Sequence, residues 1–279
     1  MIDGDRTVDD LLKTAGLSPL DARILLAHVL NVDQAWLLTH GGVTINKPNI
    51  RRFSELARRR LTGEPAAYLL GYKEFWGMAL EVTPDVLIPR PDTETLVEAA
   101  LRFLPAGKNV DVLDLGTGSG AVALAIARER PQAKICAVDH SERALAVAER
   151  NASRIFGEGQ RRVTFIHSNW FSNITFPETF DAIVGNPPYI AVNSVYWQRG
   201  ELDFEPKMAL AAGENGLDDL CVIAATAPSR LKKGGVLLLE HGYDQARAVA
   251  ELLAENGLTN IESYRDLSGI PRVTGGIKP

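Results

Sequence analysis

Four consecutive residues, Asn186-Pro187-Pro188-Tyr189, follow a short apolar stretch that ends at Gly185, and we call these four the elbow. Two adjacent prolines keep the chain extended, so the elbow presents its side chains in a fixed direction. Asn186 offers a carboxamide oxygen, Pro187 a carbonyl without an N–H, and Tyr189 a flat ring. Such a set fits a planar amino group conjugated to a π-system. A plain turn leaving a buried strand is the alternative.

A glycine-rich turn earlier in the chain closes one apolar strand and opens a helix; its residues are Gly116, Thr117, Gly118, Ser119 and Gly120. Glycine lets the backbone turn sharply and approach a ligand closely. Asp139 ends the next strand, where a carboxylate accepts hydrogen bonds from both hydroxyls of a ribose. The glycine turn and Asp139 together predict an adenosine-containing ligand. The turn also satisfies the dinucleotide fingerprint, which leaves a nicotinamide cofactor open, although such an enzyme would have no use for the elbow.

Ser168, Asn169 and Trp170 follow a third strand. An amide beside an aromatic ring fits the edge and the face of an adenine, while a core position is the alternative for Trp170. In open α/β folds, ligands bind at the carboxyl ends of parallel strands. We therefore expect these residues to share one site with Asp139 and Asn186.

The elements that must position these residues alternate between strand and helix after Val110, which is typical of a doubly wound α/β domain. Apolar residues before residue 62 recur at helical spacing, with Thr7 and Ser18 as N-caps, and predict a small helical bundle. A strand pair connects the two parts, and Asp92 or Thr93 is the expected cap of the helix after it. The predicted domains are residues 1–74, a helical domain; 75–91, a β-hairpin linker; and 92–279, the α/β domain.

The composition argues against several classes of function, namely nucleic-acid binding, metal binding and membrane association. With 279 residues, 46% hydrophobic, and a net charge of −5, the chain is typical of a globular protein whose surface is not built to bind nucleic-acid phosphate. The two cysteines, Cys136 and Cys221, form no disulfide framework and lack metal-ligand spacing, so no metal is predicted. The acidic amino terminus and the lack of a long apolar run predict a cytoplasmic protein with no membrane partner.

The glycine turn, Asp139 and the elbow together resemble class I S-adenosylmethionine methyltransferases that act on planar amino groups, either glutamine amides or adenine N6. Further stretches are similar to the HemK/PrmC family over nearly the whole chain. These stretches are Gly63-Glu64-Pro65, Tyr72-Lys73-Glu74-Phe75-Trp76, Leu87-Ile88-Pro89-Arg90-Pro91-Asp92-Thr93-Glu94, Phe204-Glu205-Pro206 and Leu239-Glu240-His241-Gly242.

The resemblance implies a Rossmann-like class I methyltransferase fold with a small N-terminal helical domain that docks the substrate. It implies methyl transfer from S-adenosyl-L-methionine, leaving S-adenosyl-L-homocysteine, to the N5 amide nitrogen of the glutamine in the Gly-Gly-Gln motif of class I peptide chain release factors. The activity would serve translation termination. We expect a monomer with no direct nucleic-acid substrate.

The family's site residues are carried over to matching positions only. Catalysis is assigned to Asn186, Pro187 and Tyr189, and these with Pro188 would hold the substrate amide. The residues expected to bind the cofactor are Gly116, Thr117, Gly118, Ser119, Gly120, Asp139, Asn169, Trp170 and Asn186. One position departs from the family, which commonly has Asp where this chain has Asn169.

Two other functions stay open. An adenine-N6 methyltransferase of DNA or RNA would use the same elbow on a flipped base, but the acidity and the N-terminal domain weigh against it. A catalytically silent S-adenosylmethionine-binding adaptor in translation is disfavoured by the intact elbow. Arg90 is either functional or an ion pair that pins the linker. The arginines between Arg51 and Arg60 are either a docking surface or a solvated helix face.

Overall fold

The computed structural model describes residues 6–175, 179–194, 197, 200 and 202–279. The chain divides into two compact units. The smaller unit comprises Met1–Tyr72 with Gly200–Phe204, and the larger unit comprises Lys73–Arg199 with Glu205–Pro279. The first five residues of the predicted N-terminal domain lie outside the described residues. Within those ranges, every helix is too short or too polar to cross a lipid bilayer.

The smaller unit is a helical bundle with one short strand pair. Thr7 and Ser18 accept hydrogen bonds from backbone N–H groups of the first helical turns, so both predicted N-caps are confirmed. Leu11, Leu25 and Phe53 are among the buried side chains of its core. The strand pair was not predicted. The elements are β1 (Arg6–Thr7), α1 (Val8–Thr14), α2 (Pro19–Leu30), α3 (Gln34–Thr39), β2 (Thr44–Ile45), α4 (Lys47–Leu61) and α5 (Ala66–Leu70).

The larger unit begins with a hairpin that starts at the unit boundary, and continues with alternating helices and strands. Its elements are β3 (Tyr72–Phe75), β4 (Met78–Glu81), α6 (Glu94–Phe103), β5 (Asp111–Leu115), α7 (Ala121–Glu129), β6 (Lys134–Asp139), α8 (Glu142–Phe156), β7 (Val163–His167), β8 (Phe180–Gly185), α9 (Asp218–Arg230), β9 (Leu231–Glu240), α10 (Ala246–Glu255), β10 (Thr259–Arg265) and β11 (Pro271–Ile277).

Seven of these strands form one sheet in the order β10-β11-β9-β8-β5-β6-β7. The five strands β9, β8, β5, β6 and β7 are parallel to one another, and β11 runs antiparallel to both β9 and β10. After β7 the chain crosses back to place β8 on the other side of β5. This reversal creates a switch point between β5 and β8, where the carboxyl ends of the strands leave room for a ligand.

Alternate residues of the strands pack on opposite faces of the sheet, as the period of two requires. Val112 packs in a core with helices α6 and α7, whereas the adjacent Leu113 packs in a second core with α9 and α10. Burial on both faces explains the nearly continuous apolar sequence of the central strands. The predicted doubly wound α/β architecture is confirmed.

Candidate active site

A cavity of about 390 Å³ opens at the carboxyl edge of the sheet around the switch point. Its volume lies in the range of small-molecule binding sites. Every lining residue belongs to the larger unit. Of the predicted site residues, the cavity brings together Gly116, Thr117, Gly118, Ser119, Asp139, Asn169, Trp170, Asn186 and Pro188. Gly120, Pro187 and Tyr189 do not line it.

The glycine turn forms one wall. Gly116, Gly118 and Gly120 all have positive φ angles, of 70°, 55° and 85°, which glycine adopts without strain. A Cβ on Gly118 would meet no protein atom within 4 Å, so that glycine keeps open space beside the cavity. A Cβ on Gly120 would lie 3.0 Å from a Leu124 methyl group and 3.2 Å from the Ala148 Cβ. Gly120 therefore has a packing role between α7 and α8.

Asp139 ends β6 with its carboxylate facing the turn. Oδ2 accepts a hydrogen bond from the Gly118 N–H at 2.8 Å, and Oδ1 accepts one from the Ser141 N–H at 2.9 Å. Burial raises the pKa of Asp139, and these backbone hydrogen bonds oppose that shift. A carboxylate has about four acceptor sites, so both oxygens retain capacity for ligand hydroxyls.

A second carboxylate, Asp114, lies at the end of β5 beneath the same turn and was not assigned from the sequence. Its Oδ2 accepts hydrogen bonds from the Thr117 hydroxyl at 2.7 Å and the Ala123 N–H at 3.2 Å. Asp114 is 2% exposed, and its burial raises the carboxyl pKa to about 6. An acid two residues before the first glycine of the turn, near the end of a strand, was the sequence signal that could have identified it.

The part of the cavity wall that follows β7 contains the residues predicted to bind adenine. Trp170 has a positive φ of 48°, and its Nε1–H donates to Asp219 Oδ1 at 3.2 Å. A Cβ on Gly116 would lie 3.4 Å from the Trp170 ring, which shows how closely the glycine turn approaches the indole. The Asn169 side chain is exposed, while Ser168 is buried and donates its hydroxyl to the Trp170 carbonyl at 2.8 Å. Asp219, from α9, is a further cavity residue that the sequence did not reveal.

The elbow leaves β8 at the cavity, and the residue that follows it is anchored by backbone hydrogen bonds. The Ile190 N–H donates to the Leu210 carbonyl at 2.8 Å, and the Ala212 N–H donates to the Ile190 carbonyl at 3.0 Å. Gln245 Nε2 donates to the Tyr189 carbonyl at 3.2 Å. Tyr189 packs on the core, and burial raises the pKa of its hydroxyl, which therefore stays protonated. The expected packing of Tyr189 on a substrate amide is not seen in the cavity lining.

The Asn186 side chain is oriented by a residue distant in sequence. Its Nδ2 donates to the Thr93 hydroxyl oxygen at 3.3 Å. Thr93 ends a 3-10 turn and is the N-cap residue of α6, as one of the two predicted caps, but its side chain makes no capping hydrogen bond. The Thr93 side chain is engaged with Asn186 instead.

Arg90 also lines the cavity, but its guanidinium forms an ion pair with Glu205. Glu205 is 4% exposed, and its second oxygen accepts a hydrogen bond from the Ile88 N–H at 3.1 Å. The pair links the segment before α6 to Glu205, which belongs to the same unit. This ion pair agrees with the pinning role that was one of the two interpretations of Arg90.

Charge on the cavity wall distinguishes between the ligands left open by the glycine turn. Four acids line the cavity, namely Asp85, Asp114, Asp139 and Asp219. A dinucleotide would bring its negatively charged pyrophosphate beside these carboxylates, whereas S-adenosylmethionine carries a positive sulfonium and an ammonium group. The residues present fit S-adenosylmethionine better.

Comparison with known proteins agrees with this geometry. The family model described as the PrmC N-terminal domain matches residues 6–71, and the methyltransferase small domain matches residues 93–198. A release factor glutamine methyltransferase from Bordetella pertussis is 48% identical over 267 residues, covering 96% of this chain and 97% of that protein. The chain belongs to the release factor glutamine methyltransferase family.

Two further similarities support the same membership and fold. A release factor glutamine methyltransferase from Xylella fastidiosa strain Temecula1 is 47% identical and covers 95% of each chain. A T. thermophilus 16S rRNA methyltransferase, solved in complex with AdoMet and guanosine, has a TM-score of 0.54 and 22% identity, covering 75% of this chain and 50% of that one. That structure supports the fold alone. The chain has the class I methyltransferase fold and uses S-adenosyl-L-methionine.

Proposed function

We propose that this protein transfers a methyl group from S-adenosylmethionine to the N5 amide nitrogen of the glutamine in the Gly-Gly-Gln motif of class I peptide chain release factors. The observation that carries the proposal is the orientation of Asn186 at the cavity wall. Its Nδ2 is held by Thr93, which leaves Oδ1 as the acceptor available to a substrate N–H. A planar amide offers two such N–H groups.

We assign the two walls of the cavity to the two reactants. The glycine turn from Gly116 to Ser119 would hold the methionine part of the cofactor, Asp139 the ribose, and the Asn169–Trp170 wall the adenine. S-adenosylmethionine supplies an electrophilic methyl group on a positively charged sulfur. Asp114 and Asp139 provide negative charge that favours a cationic ligand beside the turn.

The elbow would orient the substrate amide. An amide nitrogen is a weak nucleophile because its lone pair is delocalised into the carbonyl, so orientation is the main catalytic contribution. The Asn186 Oδ1 would accept one amide N–H and the Pro187 carbonyl the other, which requires the substrate to reach past the residues that line the cavity to Pro187. These hydrogen bonds strengthen as positive charge develops on the nitrogen, which stabilises the transition state. The nitrogen then loses a proton to water, because methylation has made it strongly acidic. Tyr189 would support the elbow by packing on the core, and Pro188 lines the cavity.

The N-terminal helical domain, residues 1–74, would dock the release factor, with residues 75–91 as a linker to the methyltransferase domain, 92–279. Leu20, Leu38 and Leu61 are exposed apolar side chains on the smaller unit, and they are candidates for contact with a protein partner if they form one patch. The arginines of α4 support such contact less, because Arg58 and Arg59 are each paired with a glutamate. The proposal describes a monomeric, cytoplasmic enzyme with a protein substrate and no direct nucleic-acid substrate.

The test is to incubate the protein with cofactor labelled on its methyl group and either a release factor or an adenine-containing oligonucleotide. Mass spectrometry then locates the label. The proposal predicts label on the glutamine of Gly-Gly-Gln and none on a release factor whose motif glutamine is replaced by glutamate. Label on the oligonucleotide would indicate an adenine-N6 methyltransferase. Absence of label on both, with the cofactor bound, would indicate a silent adaptor.

A further inference from the structure

We infer that Thr93 is a positioning residue, which fixes the side-chain amide of Asn186 with its oxygen toward the substrate; this rests on the proposed function. The evidence is the 3.3 Å hydrogen bond from Asn186 Nδ2 to the Thr93 hydroxyl oxygen. An asparagine side chain that rotates by half a turn exchanges its oxygen for its NH₂ group. In that orientation Asn186 would face the substrate N–H with a donor, and the acceptor would be lost.

Thr93 is held rigidly enough to act in this way. It is 4% exposed and is the last residue of the 3-10 turn Pro91–Thr93, directly before α6, and its own N–H donates to the Arg90 carbonyl at 3.1 Å. The ion pair of Arg90 with Glu205 fixes the start of that turn. The hydroxyl therefore reaches the elbow from a segment that is itself anchored.

Glu240 lies beside Thr93 and can accept the proton of its hydroxyl group. This carboxyl ends β9, the strand next to β8, and is 1% exposed. The Thr93 side chain interacts with it as a hydrogen-bond partner. Glu240 Oε2 accepts no hydrogen bond from the described residues, so the carboxyl has acceptor capacity to spare. When Thr93 donates to Glu240, its oxygen presents a lone pair to Asn186 Nδ2.

Two substitutions separate positioning from packing. Thr93→Val keeps the shape but removes the hydroxyl, whereas Thr93→Ser keeps the hydroxyl and removes a methyl group. With the release factor as substrate, the Val variant should lower kcat by roughly tenfold to a hundredfold, because a misplaced group costs about that much. KM and the affinity for S-adenosylhomocysteine should stay within about twofold. The Ser variant should retain most of the rate.

A measurement on the unmodified protein keeps the inference testable if Thr93→Val does not fold. The Asn186 side-chain NH₂ signal is assigned by NMR through its loss in Asn186→Ala, and its hydrogen exchange is compared with that of the exposed Asn169. Slower exchange at Asn186 is expected. Exchange as fast as at Asn169 would overturn the inference, as would a Val variant with parental kcat or a Ser variant as slow as Val. A parent that fails to methylate release factors refutes the proposed function instead, while the exchange measurement still tests the Thr93 contact.

Discussion

Asp139 has two roles that a single substitution would disturb together. Its carboxylate accepts N–H groups from Gly118 and Ser141, and it lines the cavity where the ribose is expected. One side chain thus shapes the glycine turn and also offers acceptors to the cofactor. A substitution of Asp139 should therefore change both the local structure of the turn and the affinity for the cofactor.

We predict that Asp139→Ala weakens S-adenosylhomocysteine binding by about 1.5–3 kcal/mol, the range for hydrogen bonds to a charged group. The affinity of Asp139→Asn should fall between those of the parent and Asp139→Ala. Asparagine keeps one acceptor oxygen, but its NH₂ group would face a backbone N–H with a second donor. Calorimetry measures both affinities, and thermal unfolding checks that the fold is retained. Unchanged affinity in the Ala variant would remove Asp139 from the cofactor site.

At the residue scale, the sequence correctly brought together the residues that lie at or directly after the carboxyl ends of strands. Asn186, Asp139 and Gly116 meet at one cavity because parallel strands end at the same edge. Thr93 could not be predicted, because its contact with Asn186 joins residues far apart in sequence. Tyr189 was predicted to face the substrate, yet its aromatic ring packs on the core. Side-chain direction within the elbow depends on tertiary packing, which a four-residue motif does not specify.

At the element scale, local patterns predicted the strands and helices of the larger unit with small differences at their ends. The helix that the glycine turn was predicted to open begins only at Ala121, because Gly120 adopts a left-handed conformation at its start. The short pair of β1 and β2 was missed, because two-residue strands carry no periodicity. The predicted domain boundaries remain predictions.

The turn between β5 and α7 provides an element-scale test. Gly120→Ala should destabilise the fold by about 2–4 kcal/mol, since it adds a left-handed backbone cost and an overpacked Cβ between Leu124 and Ala148. Gly107→Ala is a matched control, because Gly107 has a similar φ of 73° but no atom within 4 Å of its added Cβ. The control should lose only about 1–2 kcal/mol. Chemical denaturation compares the two, and equal losses would refute the packing role of Gly120.

At the scale of the whole molecule, a buried acid should couple folding to pH. Burial raises the pKa of the Glu240 carboxyl from 4.5 to about 7, while Thr93 and Tyr189 oppose that shift. Between these values the folded chain holds a proton that the unfolded chain has released. The free energy of unfolding therefore falls as pH rises through this window, and the contribution is constant below and above it.

We predict that Glu240→Gln removes this dependence, because glutamine does not titrate. From about pH 4.5 to about pH 7, the parent should lose stability relative to the variant by on the order of 3 kcal/mol. Glu149→Gln, on an exposed part of α8, controls for the change in net charge. Denaturant titrations across the window measure the difference. Parallel curves for the parent and Glu240→Gln would show that Glu240 does not titrate there.

The whole account depends on Asn186 accepting a hydrogen bond from the substrate amide, and single-turnover kinetics test that claim most directly. The substrate is a release-factor fragment containing Gly-Gly-Gln, with saturating cofactor. Asn186→Ala removes the acceptor and should slow methylation by about 10²–10³, with a smaller effect on cofactor affinity. Asn186→Asp retains an acceptor oxygen of similar shape and should be intermediate. The predicted order of rates is Asn, then Asp, then Ala, and an Ala variant as fast as the parent would contradict the account.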